Sequence, residues 1–252
     1  MRLRTRYTML AVLLGFGAPL GSLAWRTFTG YQGSIVSALT TEWRSATFYY
    51  VYMTVGTIVV FGLYGLLLGR HDEKLSTLST TDGLTGVYNH RYLHERLAVE
   101  LLRSNRYHSP LTCLMIDIDD FKKVNDRHGH PSGDVVLATT ARLIQDTVRE
   151  TDLVGRYGGE EFLVIMPQTT SEAALLLAGR ILKNVWDHEY QEEAGTFRIT
   201  VSIGLATYPA PELGVKSKSG LLSAADQALY KAKLSGKNQA ADWAAMNADV
   251  CT

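Results

Sequence analysis

Acidic side chains recur where the chain's pattern predicts strand ends. Asp117 and Asp119 follow the apolar run Leu111 to Ile116, and Glu160 and Glu161 follow the pair Gly158-Gly159. With the Gly-Gly hairpin beside the first strand, these carboxylates converge on one patch. Hard oxygen ligands, with room left for water and phosphate oxygens, are how proteins hold Mg²⁺, which seldom has an all-protein cage. Two such ions can activate an attacking hydroxyl and neutralise a phosphate. The Asp-x-Asp step does not read as a calcium loop, because Phe121 stands at the third ligand position and no loop glycine follows where one is required. The structural alternative is that Asp119 and Asp120 cap a helix beginning at Phe121 and Glu161 is a solvated strand end.

The elements that must position these groups run from about Thr81. A helix is predicted from Arg91 to Asn105, with Leu93, Leu97, Leu101 and Leu102 on one face. The run Leu111 to Ile116 reads as a buried strand, Ser132 to Val148 as a second helix, and Asp152 to Tyr157 with Glu161 to Met166 as a hairpin through the two glycines. A helix from Ser171 to His188, a strand alternating Phe197, Ile199, Val201 and Ile203, and a helix from Gly220 to Leu234 complete the set. The order βαββαβ predicts an α+β, ferredoxin-like or palm-type fold with helices on one face of an antiparallel-containing sheet.

The first 69 residues differ. Residues 7–25 and 48–69 contain no charged side chain, while Arg2, Arg4 and Arg6 precede the first stretch and Arg70 and Lys74 follow the second. Each approaches the ~20 residues of a membrane-spanning helix. The flanking cations place both ends in the cytoplasm, with residues 26–47 as a short periplasmic loop. A cleaved signal peptide is the alternative for the first span. Residues 70–80 read as a short linker helix carrying Leu75 and Leu78, and residues 239–252 as a C-terminal tail. Localisation in a bacterial inner (cytoplasmic) membrane, multi-pass with the following domain in the cytoplasm, is the expectation. The 252-residue chain has 25 basic and 25 acidic residues. Five of those cations lie before residue 70, so the rest is mildly acidic and no nucleic-acid partner is expected. The two cysteines, Cys113 and Cys251, have neither zinc-site nor disulfide spacing.

Four segments occur in order: Asp82-Gly-Leu84-Thr85-Gly86-Val-Tyr-Asn89; Asp117 through Asp134; Arg156-Tyr-Gly158-Gly159-Glu160-Glu161-Phe162; and Asp226 through Lys233 to Gly236-Lys237-Asn238. With them the chain resembles the GGDEF-domain diguanylate cyclases, in the GGEEF form, over residues 81–238. The resemblance implies condensation of two GTP into cyclic di-GMP and two pyrophosphates by a homodimer whose half-sites face each other. It implies Mg²⁺, two per active site with Mn²⁺ able to substitute, held by Asp117, the carbonyl of Ile118, Glu160 and Glu161. Glu160 is also the implied proton acceptor for the ribose 3′-hydroxyl. Asn125 and Asp134 match guanine readers, since a carboxylate suits guanine's N1–H and 2-amino group and adenine offers neither. His130 joins the substrate contacts. Lys122, Lys233 and Lys237 match phosphate contacts, and Gly159 lets backbone approach the triphosphate. The family more often has Arg at position 237, and Lys keeps the charge without the bidentate fork. Arg149-Glu-Thr-Asp152, with five residues between Asp152 and Gly158, matches an RxxD product-inhibition site, and Arg180 matches a further arginine of it. Two other classes stand beside this one: a silent GGDEF module acting as a cyclic di-GMP receptor, and a related nucleotide cyclase or palm-type polymerase.

Overall fold

A computed structural model describes residues 51–65, 67, 79–192, 195–209 and 217–247. The chain divides into two units, Met1–Ser79 and Thr80–Thr252. In the first, residues 51–65 are helical. Among the described residues no helix is long and apolar enough to cross a membrane. The predicted span 7–25 lies outside the described residues, as do residues 70–78 of the predicted linker; the predicted span 48–69 is described only at 51–65 and 67.

The second unit runs β1 (Tyr88–Asn89), α1 (His90–Tyr107), β2 (Leu111–Ile118), α2 (Phe121–His128), α3 (His130–Thr147), β3 (Leu153–Arg156), β4 (Glu161–Pro167), α4 (Ser171–Asp187), β5 (Tyr190–Glu192), β6 (Gly195–Phe197), β7 (Val201–Tyr208), α5 (Lys218–Leu234), β8 (Ala240–Asp242) and α6 (Trp243–Asn247). The main sheet has the order β1-β3-β4-β2-β7-β8. Its four inner strands β3, β4, β2 and β7 pair antiparallel, in the order of the predicted ferredoxin-like arrangement. β5 and β6 form a separate two-stranded ribbon, so Phe197 does not belong to the strand that begins at Val201.

The helices cover both faces of the sheet, not one. All eight residues of β2 are buried. Alternate residues divide between two cores: Leu114, Ile116 and Ile118 meet Val136, Ile144, Leu177 and Ile181, whereas Leu111, Cys113 and Met115 meet Leu93, Leu97, Leu221 and Leu229. Apolar residues at both odd and even positions of a strand are the mark of two-sided burial. Each fully buried Leu or Ile contributes roughly 1.5–3 kcal/mol. Burial also pushes the Cys113 thiol far above its ordinary pKa, which leaves it an inert core residue.

Helix ends follow local chemistry. Asn89, Thr170 and Ser217 cap α1, α4 and α5 by accepting the backbone N–H of Tyr92, Ala173 and Gly220. Gly129, with φ of 82°, separates α2 from α3, and Pro131 opens the latter. The stretch expected as a tail instead begins with β8, parallel to β7, and continues as α6 to Asn247.

Candidate active site

The sheet register brings the acidic pairs together. Asp117 stands opposite Glu161 on β4 and Ser202 on β7, and the Ile118 N–H donates to the Glu160 carbonyl at 3.3 Å. Burial raises the pKa of Asp117, with nearby Asp119 adding to it while Lys233 opposes. Glu160 is raised by burial, then by Asp117, and Glu161 by burial, then by Asp117 and by Asp226 of α5. Carboxylates that destabilise one another's charge form a patch that a cation relieves. The donors fit Mg²⁺ in type, being hard oxygens. Among the described residues no three acidic, imidazole or thiol groups stand close enough to cage an ion alone, so substrate oxygens and water would complete its shell.

Two of the three lysines expected on phosphate are engaged with carboxylates. Lys233 Nζ lies 2.8 Å from Asp117 Oδ1, and Lys237 Nζ 2.9 Å from Asp120 Oδ2, while Asp120 Oδ1 takes Lys123 at 3.0 Å. Asp120 precedes α2 in the left-handed region, φ 56°, and its side chain makes no cap bond. Asp119 is no cap either. It is buried and accepts Thr200 Oγ1 and Ser202 Oγ, each at 2.7 Å, and the Asn238 N–H at 3.1 Å. Lys237 and Asn238 both have positive φ, 63° and 47°. Asp119 thus ties the turn carrying Lys237 to the strand end bearing Asp117. Lys122 is exposed on the first turn of α2; Asn125 lies further along that helix, and exposed His130 and Asp134 lie on α3.

Arg156 was not singled out by the sequence. Its Nη2 and Nε donate to the Gly159 carbonyl at 2.6 and 3.1 Å, and its Nη1 lies 3.4 Å from Asp82 Oδ1. Asp82 in turn accepts the Thr85 N–H and hydroxyl. Although burial opposes it, these partners hold the Asp82 carboxyl below its ordinary pKa. The signature hairpin is therefore clamped to the segment that opens the domain. A Cβ at Gly158 would displace the Glu161 carboxylate, whereas nothing lies within 4 Å of one at Gly159. Arg156→Ala should slow turnover about tenfold, near 1.4 kcal/mol, by freeing the hairpin. Steady-state rates beside an unchanged melting curve check this, and a wild-type rate would show that the clamp is idle.

At the predicted inhibition site, the Arg149 N–H donates to Asp152 Oδ2 at 3.0 Å, and the Asp152 N–H returns to the Arg149 carbonyl. Asp152 is buried, which raises its pKa against the pull of Arg149, and its Oδ1 has no partner. Arg149 lines a cavity of about 560 Å³ together with Arg96, Glu100 and Arg103 of α1. Glu100 is buried and bonded to both of those arginines, at 2.9 and 3.1 Å. Sequence reading missed them because α1 lies some fifty residues upstream. Arg180, on α4, lines neither this cavity nor the smaller one shared by Arg149 and Asp152.

The family model for the GGDEF domain of diguanylate cyclases matches residues 79–239, and the chain belongs to that family. Diguanylate cyclase A of Treponema denticola is 35% identical over 172 residues, covering 67% of this chain and 46% of that protein. The active GGEEF domain of a diguanylate cyclase from Vibrio cholerae superposes with a TM-score of 0.58 at 34% identity, covering 62% of this chain and 96% of that one. The GGDEF domain of DgcB from Caulobacter crescentus, solved with c-di-GMP, gives a TM-score of 0.62 at 28% identity over 66% of this chain and 96% of its own. The chain spans about half the length of the curated relatives first matched.

Proposed function

We propose that this protein is a diguanylate cyclase that joins two GTP molecules into cyclic di-GMP and releases two pyrophosphates. The observation that carries the reading is the acidic patch of Asp117, Glu160 and Glu161 at the meeting of β2 and β4, within a chain that belongs to the GGDEF family. Asp117, the Ile118 carbonyl, Glu160 and Glu161 would hold the Mg²⁺ ions, which acidify the ribose 3′-hydroxyl and neutralise the phosphates. Glu160 takes the hydroxyl proton. Asn125 and Asp134 read guanine. Lys122, Lys233 and Lys237 meet phosphate oxygens, for which Lys233 and Lys237 exchange their carboxylate partners. The 3′-hydroxyl of each nucleotide attacks the α-phosphorus of the other, so the catalytic unit is a homodimer.

Product bound at Arg149 and Asp152 restrains the enzyme. A two-span membrane anchor carries the catalytic unit in the cytoplasm. Its support is the uncharged stretches 7–25 and 48–69 and the apolar surface of residues 51–65, where Tyr52, Val55, Val59, Val60, Leu63 and Tyr64 are each more than half exposed. The test is GTP consumption by the full chain in detergent with Mg²⁺, followed across protein concentration and repeated with ATP. Rate per protomer rises with concentration, ATP is left intact, and chelation stops the reaction. A concentration-independent rate, or equal use of ATP, contradicts the reading.

A further inference from the structure

Gly133 is buried in the first turns of α3, where its N–H donates to the Gly129 carbonyl at 3.2 Å. It is not among the positive-φ glycines, Gly86, Gly129, Gly195 and Gly236, so the backbone does not require glycine there. Helix propensity argues against it, because glycine is the poorest helix former after proline. The reason is space. A Cβ at position 133 would overlap Asn125 Oδ1 and stand 3.0 Å from Asn125 Cγ and 3.3 Å from Phe121 Cζ. By contrast, nothing lies within 4 Å of a Cβ at Gly179, the glycine inside α4.

Of the two neighbours, Phe121 is a core ring, 6% exposed and packed with Val124, Val136 and Leu137. Asn125 is half-buried and ends in a rotatable amide, so a side chain at 133 would displace the amide first. We propose that Gly133 is a positioning and specificity residue: its missing side chain is the recess that holds the Asn125 carboxamide in the orientation in which it reads the nucleobase. The inference rests on the proposed role of Asn125 and adds a residue that touches no ligand itself. A carboxamide offers one acceptor and two donors in a fixed plane. Turned away, it forfeits the pairing on which guanine selection depends and leaves base groups unpaired.

The experiment is a double-mutant cycle on the full chain in detergent. The probe is GTP with a methylene bridge between its α- and β-phosphates, beside its inosine counterpart, which lacks the 2-amino group. Gly133→Ala weakens binding of the GTP analogue about tenfold and narrows the guanine-to-hypoxanthine ratio, while its melting temperature stays level or rises. Asn125→Ala weakens binding by a similar factor. Adding Gly133→Ala to Asn125→Ala costs less than about twofold more, because the amide it would displace is gone. Wild-type binding by Gly133→Ala, or an equal loss in both backgrounds, overturns the proposal. Wild-type binding by Asn125→Ala instead overturns the guanine-reading role on which it rests. Should Gly133→Ala fail to fold, the double variant must recover the fold; its failure would put the collision on Phe121 and overturn the inference.

Discussion

Glu160→Gln lowers turnover by about 10³-fold or more while leaving fold and nucleotide binding in place. The amide keeps the shape of the side chain and removes its ability to take a proton. Glu160 lies at the tip of a hairpin held by Arg156, just before the strand pair that sets Glu161 opposite Asp117, and its carbonyl accepts the Ile118 N–H. Burial and Asp117 raise the pKa of Glu160 in the metal-free protein, and a bound cation favours the ionised form, so Mg²⁺ binding weakens as pH falls. Stability of the metal-free protein follows the raised pKa. A carboxyl whose folded-state pKa is raised contributes fully below the unfolded value and loses that contribution as pH rises through the folded one. Gln, which mimics the protonated form, therefore leaves the metal-free protein at neutral pH at least as stable as the wild type. Thermal melts in chelator and then in Mg²⁺ check this: the wild type gains stability with the ion, and Glu160→Gln gains less. A variant that melts lower in chelator and still turns over would refute both halves.

Gly204→Val abolishes folding or costs more than about 3 kcal/mol. Gly204 lies on β7, where α5 packs directly onto the strand, and a Cβ there would overlap the Leu229 nitrogen and the Ala225 carbonyl oxygen, with Leu229 Cα at 2.6 Å. These are backbone atoms of a helix, which cannot rotate aside. Lifting α5 would also carry Lys233 away from Asp117 and pull on the turn that Asp119 holds through Asn238. Gly179→Ala is the control, in open space on α4, and gains up to about 1 kcal/mol from helix propensity. Urea titrations followed by far-ultraviolet circular dichroism distinguish the pair. A wild-type midpoint for Gly204→Val would mean that the close approach of β7 and α5 is wrong.

The strands bearing Asp117 and Glu161 were legible because both are bounded, apolar runs, and the Gly-Gly turn between Tyr157 and Glu160 announced a hairpin. Two-sided burial is written in the apolar residues at both odd and even positions of Leu111 to Ile116, but a short run does not say what covers it. What periodicity could not supply was the partner at long range. Asp119 reads locally as a helix cap, yet its bonds go to Thr200, Ser202 and Asn238, some eighty residues or more away. The same holds for Arg96 and Arg103 beside Arg149, and for Ala240 to Asp242, whose alanines carry little strand signal and pair with β7 because the preceding turn delivers them there.

The most direct test of the acidic patch as a cyclase site is chromatographic separation of the nucleotides formed from GTP and Mg²⁺ by the full chain, wild type beside Glu160→Gln. The wild type yields cyclic di-GMP with two pyrophosphates for each molecule formed, and the variant leaves GTP unreacted. GTP untouched by the wild type at every protein concentration, or converted equally by both proteins, would contradict the account.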